Sequence, residues 1–447
     1  MSHKDLFYRD LYKDHIRIVR GEGVYIYDEN GKRYIDASGG SNASVPLGHL
    51  VEPVIDAMIE QARKITFVPM HLFSNEPAEK LAELISKMTP KGLNYTWFVN
   101  SGSEATDNAI KLARQYNLER GELSRYKVIG RWQSFHGNTL GALSVSGHTF
   151  RRSKYLPLLA DMPHIPPANC YRCWFGKEYP ECDVECARIL ERVIKQEGKG
   201  SISAFIAEPI VGATTGATVP VKEYYPIIRE ICDSYDVLFI ADEVQTGFGR
   251  TGKNFSIDHW KVVPDIMTVA KSMGGGYASI AAVIVREDVV EQFKKKRSNF
   301  VGGHTFSANP LSCAIALKVI ERIISENLVA KCQESGSYLR DKLEELYKHP
   351  MVGNVRGLGL MQGIEFVKDK ESKEPYPWQK MVSQSITEEA VKKGVIVYPG
   401  QGTADGVDGD HMLLTPPFII TREQIDEVAK VIDESIGIIE DQVAQKE

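Results

Sequence analysis

No apolar run in this 447-residue chain approaches the roughly 18 residues that a membrane-spanning helix needs. The opening stretch MSHKDLFYRDLYKDHI alternates charge with aromatics where a secretory signal would carry an apolar core. Charge of one sign is scarce as well: 54 Lys and Arg against 59 Asp and Glu leave a net charge of -5, which gives no general pull toward nucleic acid or an anionic membrane. Internal repeats, low-complexity blocks and long linkers are missing. These absences predict a cytoplasmic globular protein with neither nucleic acid nor membrane as partner. At 43% hydrophobic and 25% charged residues, the length allows about two or three domains, with a large core in at least one.

Cysteine is sparse, 7 residues in all. Cys232, Cys313 and Cys332 are scattered in apolar or helical surroundings and read as reduced thiols. Cys170, Cys173, Cys182 and Cys186 cluster in CYRCWFGKEYPECDVEC. In a long cytosolic chain such a cluster points to metal or redox chemistry before disulfides; the alternative is a compact loop built from small, semi-polar residues. Its separation along the chain from every group below keeps it out of the catalytic set, and no metal is assigned.

The start of the chain carries a hairpin signal, GVYIYDENGKRYIDA, with alternating segments around a turn at Asn30-Gly31. From about residue 55 helices and short strands alternate, the pattern of an α/β domain with a mainly parallel sheet. The strand candidates are YTWFVN, YKVIG, AFIAEP, VLFIADE, DIMTVAK and SIAAVIV. Near 320 the pattern changes to long amphipathic helices, with strands around Val355–Phe366 and Val395–Tyr398. The expected division is an amino-terminal segment, 1–55, joining a small domain; a large domain, 56–325; and a carboxy-terminal small α+β domain, 326–447.

Three of those strands end in ionisable groups: Glu208, the pair Asp242 and Glu243, and Lys271. Separations of 34 residues from Glu208 to Asp242 and 29 from there to Lys271 fit strand–helix–strand units, so parallel neighbours would present the groups at one sheet edge. That carboxyl edge is where such folds bind ligands. Lys271 runs straight into Gly274 to Gly276, backbone that can bend sharply. A strand-ending lysine alone is ordinarily a solvated side chain; three charged ends in register argue for more. YTWFVNSGSEATDNAIKLARQY adds a strand, a glycine turn and a helix whose Ser101 and Glu104 have capping-box spacing. The same helix start suits a phosphate, and capping alone would explain it equally well.

A phosphate site, an aspartate and a lysine together are what pyridoxal phosphate needs: an anchor, a partner for its ring nitrogen, and an amine for its aldehyde. Phe135, in SFHGNT, follows another strand and supplies an aromatic face.

At this point the residues resemble class III, or ω-type, aminotransferases of pyridoxal-phosphate fold type I. The similarity runs over nearly the whole chain and includes NSGSEATDNAIKLAR, FHGNT, IADEVQTGFGRTG, PDIMTVAK, GGHTFSANPLSCAIAL and LLTPPFIIT. The resemblance implies a large domain with a mainly parallel seven-stranded sheet, and a homodimer with active sites at the interface. By position, Lys271 resembles the Schiff-base lysine and Asp242 the partner of the ring nitrogen. Val244 looks like the residue on the ring face opposite Phe135, and Gln245 like the one near the phenolic oxygen. Ser101, Gly102 and Ser103 look like the phosphate turn. His136 and Gly137 look like the residues that shape the turn after the stacking ring. Thr305 resembles the threonine that reaches the phosphate of the neighbouring subunit; a hydroxyl satisfied in its own turn is the plain reading. Glu208 resembles an acid near the substrate pocket and could equally be a buried, hydrogen-bonded carboxylate.

Many such enzymes hold a substrate carboxylate with an arginine just before a PPF segment. Here Gly394 to Pro417 contains no Arg or Lys. Either another arginine serves, or the amino donor has no free carboxylate near its amine. The sequence is similar to aminotransferases of anaerobic lysine fermentation that act on 3-aminobutyryl-coenzyme A, whose thioester removes that charge. The run Lys294 to Arg297 would then meet the coenzyme's phosphates, unless it is a solvated face. β-Alanine, taurine, 4-aminobutyrate and diamines are competing donors, with 2-oxoglutarate or pyruvate as acceptor. A racemase or aminomutase would share Lys271 and Asp242. A non-catalytic regulator would need a nucleic-acid-binding module, and no basic helix-turn-helix segment is present.

Overall fold

The computed structural model describes residues 5–445. The predicted hairpin forms from β2 (Tyr25–Asp28) and β3 (Arg33–Asp36), and β1 (Ile18–Glu22) adds an antiparallel strand to β2 that the sequence pattern did not mark. Its turn is tied by Asp28, whose Oδ1 accepts the amides of Asn30 and Lys32 at 2.9 Å each. Gly31 there has φ 82°, which a side chain would oppose. Helices α1 (Glu52–Lys64) and α2 (Glu76–Met88) follow, each with proline in its first turn.

The main sheet then alternates with helices: β4 (Leu93–Val99), α3 (Gly102–Glu119), β5 (Lys127–Arg131), α4 (Leu140–Val145), α5 (Thr149–Arg152) and β6 (His164–Ile165). It continues through α6 (Glu185–Glu197), β7 (Ile202–Ala207), α7 (Tyr224–Tyr235), β8 (Leu238–Asp242), β9 (Ile266–Val269) and β10 (Ala281–Arg286). The order is β4-β10-β9-β8-β7-β5-β6, seven strands. Pairings from β6 through β9 are parallel, and β10 lies antiparallel to both β9 and β4. All residues of β7, β8 and β9 are buried, as expected of strands covered on both faces. Ala204, Ile206 and Ile240 pack on the small-residue stripe Ala105, Ala109 and Ala113 of α3. Phe205, Phe239 and Ala241 face the opposite side, toward Leu190 of α6 and Ile228 of α7. Six of the seven strands coincide with the apolar runs in the sequence. The seventh, β6, has two residues, too few for any pattern.

After α8 (Glu287–Lys296) come α9 (Pro310–Ser325) and α10 (Leu328–Glu344), and then β11 (Val352–Leu358) and β12 (Met361–Asp369). The expected strand around Val355–Phe366 is therefore a hairpin, folded at Gly359 (φ 53°). The chain closes with β13 (Glu374–Pro375), α11 (Val382–Lys392), β14 (Val395–Ile396), β15 (Tyr398–Gln401), β16 (Asp410–Leu414) and α12 (Arg422–Ala444). The expected strand Val395–Tyr398 is split between two sheets. β15 joins β11-β12-β16, whereas β14 pairs in parallel with β3, Val395 opposite Ile35. That pairing ties the amino-terminal hairpin to the end of the chain.

The two layers are clamped by Arg250, in the loop after β8. Its buried guanidinium donates to the carbonyls of Leu360 (3.0 Å) and Pro416 (2.6 Å) and lies 4.5 Å from the centre of the Phe418 ring. Nearby, three backbones meet. A Cβ on Gly336 of α10 would lie 2.1 Å from the Gly359 carbonyl carbon, and one on Gly359 would lie 2.6 Å from the backbone of Thr251. Alanine normally stabilises a helix interior relative to glycine by about 1 kcal/mol. At Gly336 the collision is with backbone that cannot turn aside, and overpacking of about 1–3 kcal/mol or more outweighs that gain. Gly336→Ala is expected to lower the thermal unfolding midpoint; an unchanged or raised midpoint would contradict this packing.

Candidate active site

β7, β8 and β9 run in parallel register, Ala207 beside Ala241 and Asp242 beside Thr268. Glu208, Asp242 and Lys271 therefore emerge at one carboxyl edge and line a single cavity of about 570 Å³. Ser101, Gly102, Ser103, Phe135, His136, Val244 and Gln245 line it too. Glu243, grouped with them from sequence, points away, since successive strand residues face opposite sides. Its Oε1 accepts the Ile257 amide at 2.7 Å, its Oε2 accepts the Thr246 hydroxyl, and burial pushes its pKa up to about 7. It anchors the loop after β8.

Each cavity acid is already oriented. Asp242 Oδ2 lies 2.7 Å from His136 Nδ1, while Oδ1 accepts the Val244 amide (3.0 Å) and the Thr268 hydroxyl (3.2 Å). Glu208 Oε1 accepts the Phe135 amide at 2.9 Å, so this carboxylate fixes the backbone of the ring-bearing turn. Burial raises the Glu208 pKa. The main-chain carbonyl of Glu208 is held in turn by Arg131 and by the Tyr225 hydroxyl (2.7 Å).

Lys271 sits directly after β9 with φ 45°, a left-handed conformation unusual for a residue with a side chain. The glycines beside it make the bend possible: a Cβ on Gly274 would lie 2.2 Å from the Ala278 carbonyl oxygen. Among the described residues no ion pair or hydrogen bond engages its amine. Withdrawal from water lowers its pKa from 10.5 to about 8, opposed by Glu208 and Asp242 and reinforced by Arg151 and Arg250. An amine of that kind is a usable nucleophile and base near neutral pH.

Ser101 caps α3, its Oγ accepting the Glu104 amide at 3.2 Å. The return arm differs from a capping box, because Glu104 Oε2 takes the Asn100 amide at 2.8 Å. As first residues of α3, Gly102 and Ser103 have amides without an intrahelical carbonyl to bond. A Cβ on Gly102 would lie 2.8 Å from Val244 Cγ1, and one on Gly137 would lie 2.8 Å from Ser103 Oγ. The turn is thus a cradle kept open by glycine, beside Val244 and in the cavity that Phe135 also lines. These residues fit a planar, phosphate-bearing aldehyde: an anion cradle, two flanking apolar faces, an oriented carboxylate and an unpartnered amine.

Several cavity residues carry no sequence signal. Arg151 comes from α5, beyond the FHGNT turn. Its guanidinium lies 4.0 Å over the Phe135 ring and donates to the Tyr398 hydroxyl at 3.1 Å. Asn42, which accepts a hydrogen bond from Gln245, belongs to a run from Gly39 to Ala43 with φ between 57° and 82° throughout. Arg9 reaches the cavity from the amino-terminal segment. Thr305 lies on an exposed turn outside this cavity's lining. The cations Lys294 to Arg297 also lie outside that lining; Lys294 pairs with Glu291 and with the Tyr95 hydroxyl, both at 2.7 Å. The four clustered cysteines are free thiols around a void of about 20 Å³, and among the described residues no group of three or more His, Cys, Asp or Glu is arranged to hold a metal.

A family model described as aminotransferase class-III matches residues 8–436. The putrescine–pyruvate aminotransferase of Pseudomonas aeruginosa is 36% identical over 433 residues, covering 94% of this chain and 90% of that protein. The Bacillus subtilis aminotransferase YodT is 39% identical over 421 residues, 94% of each chain. Among solved structures, a thermostable (S)-enantioselective omega-transaminase from Thermomicrobium roseum has a TM-score of 0.91 at 32% identity, over 98% of this chain and 96% of that one.

The depressed pKa makes a stability prediction. A buried lysine whose folded pKa lies below its unfolded value destabilises the fold fully below the folded pKa, and the penalty fades as pH rises toward the unfolded one. A fall from 10.5 to about 8 corresponds to on the order of 3 kcal/mol at most. In cofactor-free protein, Lys271→Met is expected to raise resistance to urea at pH 7, with the gain shrinking between pH 8 and 10.5. A variant equally stable or weaker at pH 7 would show that the amine is not held at such a cost.

Proposed function

The chain belongs to the class-III aminotransferases, whose cofactor is pyridoxal 5'-phosphate, and on that premise we propose that it transfers the amino group of a primary amine, one not α to a carboxylate, to 2-oxoglutarate or pyruvate. The observation that carries the reading is the unpartnered amine of Lys271 in one cavity with the oriented carboxylate of Asp242. The cofactor, when bound, supplies an aldehyde that condenses with amines and a ring that draws electrons from the neighbouring carbon. In this assignment Ser101, Gly102 and Ser103 would hold its phosphate through α3's free amides. Asp242, braced by His136, would keep the ring nitrogen protonated. Phe135 and Val244 would hold the ring, Gln245 would serve its phenolic oxygen, and Glu208 fixes the turn that carries Phe135. The Lys271 amine would hold the aldehyde and, when free, would move the proton at the amine-bearing carbon.

We infer a homodimer, in which Thr305 serves the neighbouring subunit's phosphate. An exposed apolar patch supports an interface there: Phe67, Met70, Leu72 and Phe73 accompany Val301 and Phe306, with the Phe67 and Phe306 rings 5.7 Å apart. A cytoplasmic location rests on composition.

The absence of Arg and Lys from Gly394 to Pro417 supports a donor without a carboxylate near its amine, such as 3-aminobutyryl-coenzyme A. Arg151 favours a second reading, a free β- or ω-amino acid such as β-alanine, taurine or 4-aminobutyrate. A keto acid needs a cation in either case, so Arg151 can serve the acceptor while the donor goes without. Mixing loaded enzyme, without keto acid, with 3-aminobutyryl-coenzyme A and separately with free 3-aminobutyrate separates the readings. Loss of the visible cofactor absorbance with the thioester alone is expected for the first reading. Equal or faster loss with the free acid overturns it in favour of the second, and no loss with any primary amine overturns the transamination reading.

A further inference from the structure

Resting on the transamination reading, we propose that Arg9 is a second anion anchor of the cavity, selecting ligands that carry a negative group at the end remote from the reacting carbon. An exposed arginine is ordinarily just solvated. Arg9 differs in where it is held. Around it the Tyr8 and His15 rings stack at 4.1 Å, His15 Nε2 lies 3.0 Å from the Asp10 carbonyl oxygen, and Asp10 Oδ1 accepts the Tyr12 amide at 3.0 Å. This small loop is moored by Lys13 to Glu388 of α11 (3.6 Å) and by Arg17 to Glu29 (3.2 Å). The mooring leaves Arg9 among the lining residues of the cavity that also contains Lys271 and Arg151.

The charges in that cavity do not cancel. The cavity holds the cations Lys271, Arg151 and Arg9 and the acids Glu208 and Asp242, whose hydrogen bonds go to the Phe135 amide and to His136 and not to either arginine. Among the described residues no carboxylate pairs with either arginine. Arg151 is fixed over Phe135 in the cavity that holds Lys271, and suits a carboxylate close to the reacting centre. Arg9, on a separate segment, is left for a second anion. A ligand with one negative group engages one guanidinium, and a ligand with two can engage both. The shared chemistry is a distal anion, whether the second carboxylate of a dicarboxylic keto acid or a phosphate of a coenzyme A thioester.

The test compares 2-oxoglutarate with pyruvate as acceptor for wild-type enzyme, Arg9→Ala and Arg9→Lys. Binding of glutarate, butyrate and coenzyme A to the loaded enzyme is measured alongside by calorimetry. For a partly exposed charge-assisted contact, Arg9→Ala should raise KM for 2-oxoglutarate about 5–10-fold, with kcat nearly constant and a much smaller change for pyruvate. Arg9→Lys should recover part of the loss. Arg151→Leu should instead weaken both acceptors. Weaker glutarate binding in Arg9→Ala identifies the distal carboxylate as the source, and weaker coenzyme A binding identifies the phosphate. If amino transfer proceeds but neither the acceptor preference nor any of these affinities moves, Arg9 is a solvated surface residue and the inference fails while the transamination reading stands. If no keto acid is aminated, that reading fails, and the glutarate and coenzyme A affinities alone decide the role of Arg9.

Discussion

An amine withdrawn from water at the end of β9 is unfavourable wherever it is protonated, and the surrounding structure is arranged around keeping it there. The left-handed turn at Lys271, the glycines that make room for it, and two carboxylates committed to other partners leave the amine free and partly neutral near pH 7. Had Asp242 or Glu208 closed an ion pair with Lys271, the amine would be more comfortable and less reactive. Instead the acids bond to His136 and the Phe135 amide and act on the lysine only through their charge, which partly opposes the effect of burial. Reactivity here is bought with stability, as expected where a site must hold a strained and desolvated group.

The rest of the chain positions that edge. Parallel register sets the depth of Glu208, Asp242 and Lys271, and α3 lies close because its face is alanine. Arg250 pins the loop after β8 to the turn of the small sheet and to Pro416, and β14 draws the amino-terminal hairpin onto the same body. The stretch from Gly39 to Ala43, left-handed throughout, brings Asn42 to Gln245. These are tertiary devices, and each sets where one wall of the cavity stands.

That difference explains what the sequence revealed. Continuous apolar runs marked β7, β8 and β9, and strand–helix–strand spacing of their charged ends placed three groups at one edge, because local pattern and tertiary position coincide in a parallel sheet. The small-residue stripe and capping serine marked α3 for the same reason. Glu243 was misplaced by grouping it with Asp242, although strand alternation turns neighbours to opposite faces. Arg151 and Arg9 left no trace, since nothing in a four-residue helix or in an amino-terminal segment says which cavity it will reach. The segment before PPF carries no arginine, and the two arginines that line the cavity, Arg9 and Arg151, come from other parts of the chain.

The most direct test of Lys271 as the reacting amine is chemical. Protein loaded with pyridoxal phosphate would be treated with borohydride, digested, and its peptides weighed. A pyridoxyl group fixed to Lys271, and to no other lysine, is the predicted result. Label on a different lysine, or none in protein that has taken up the cofactor, would contradict the account.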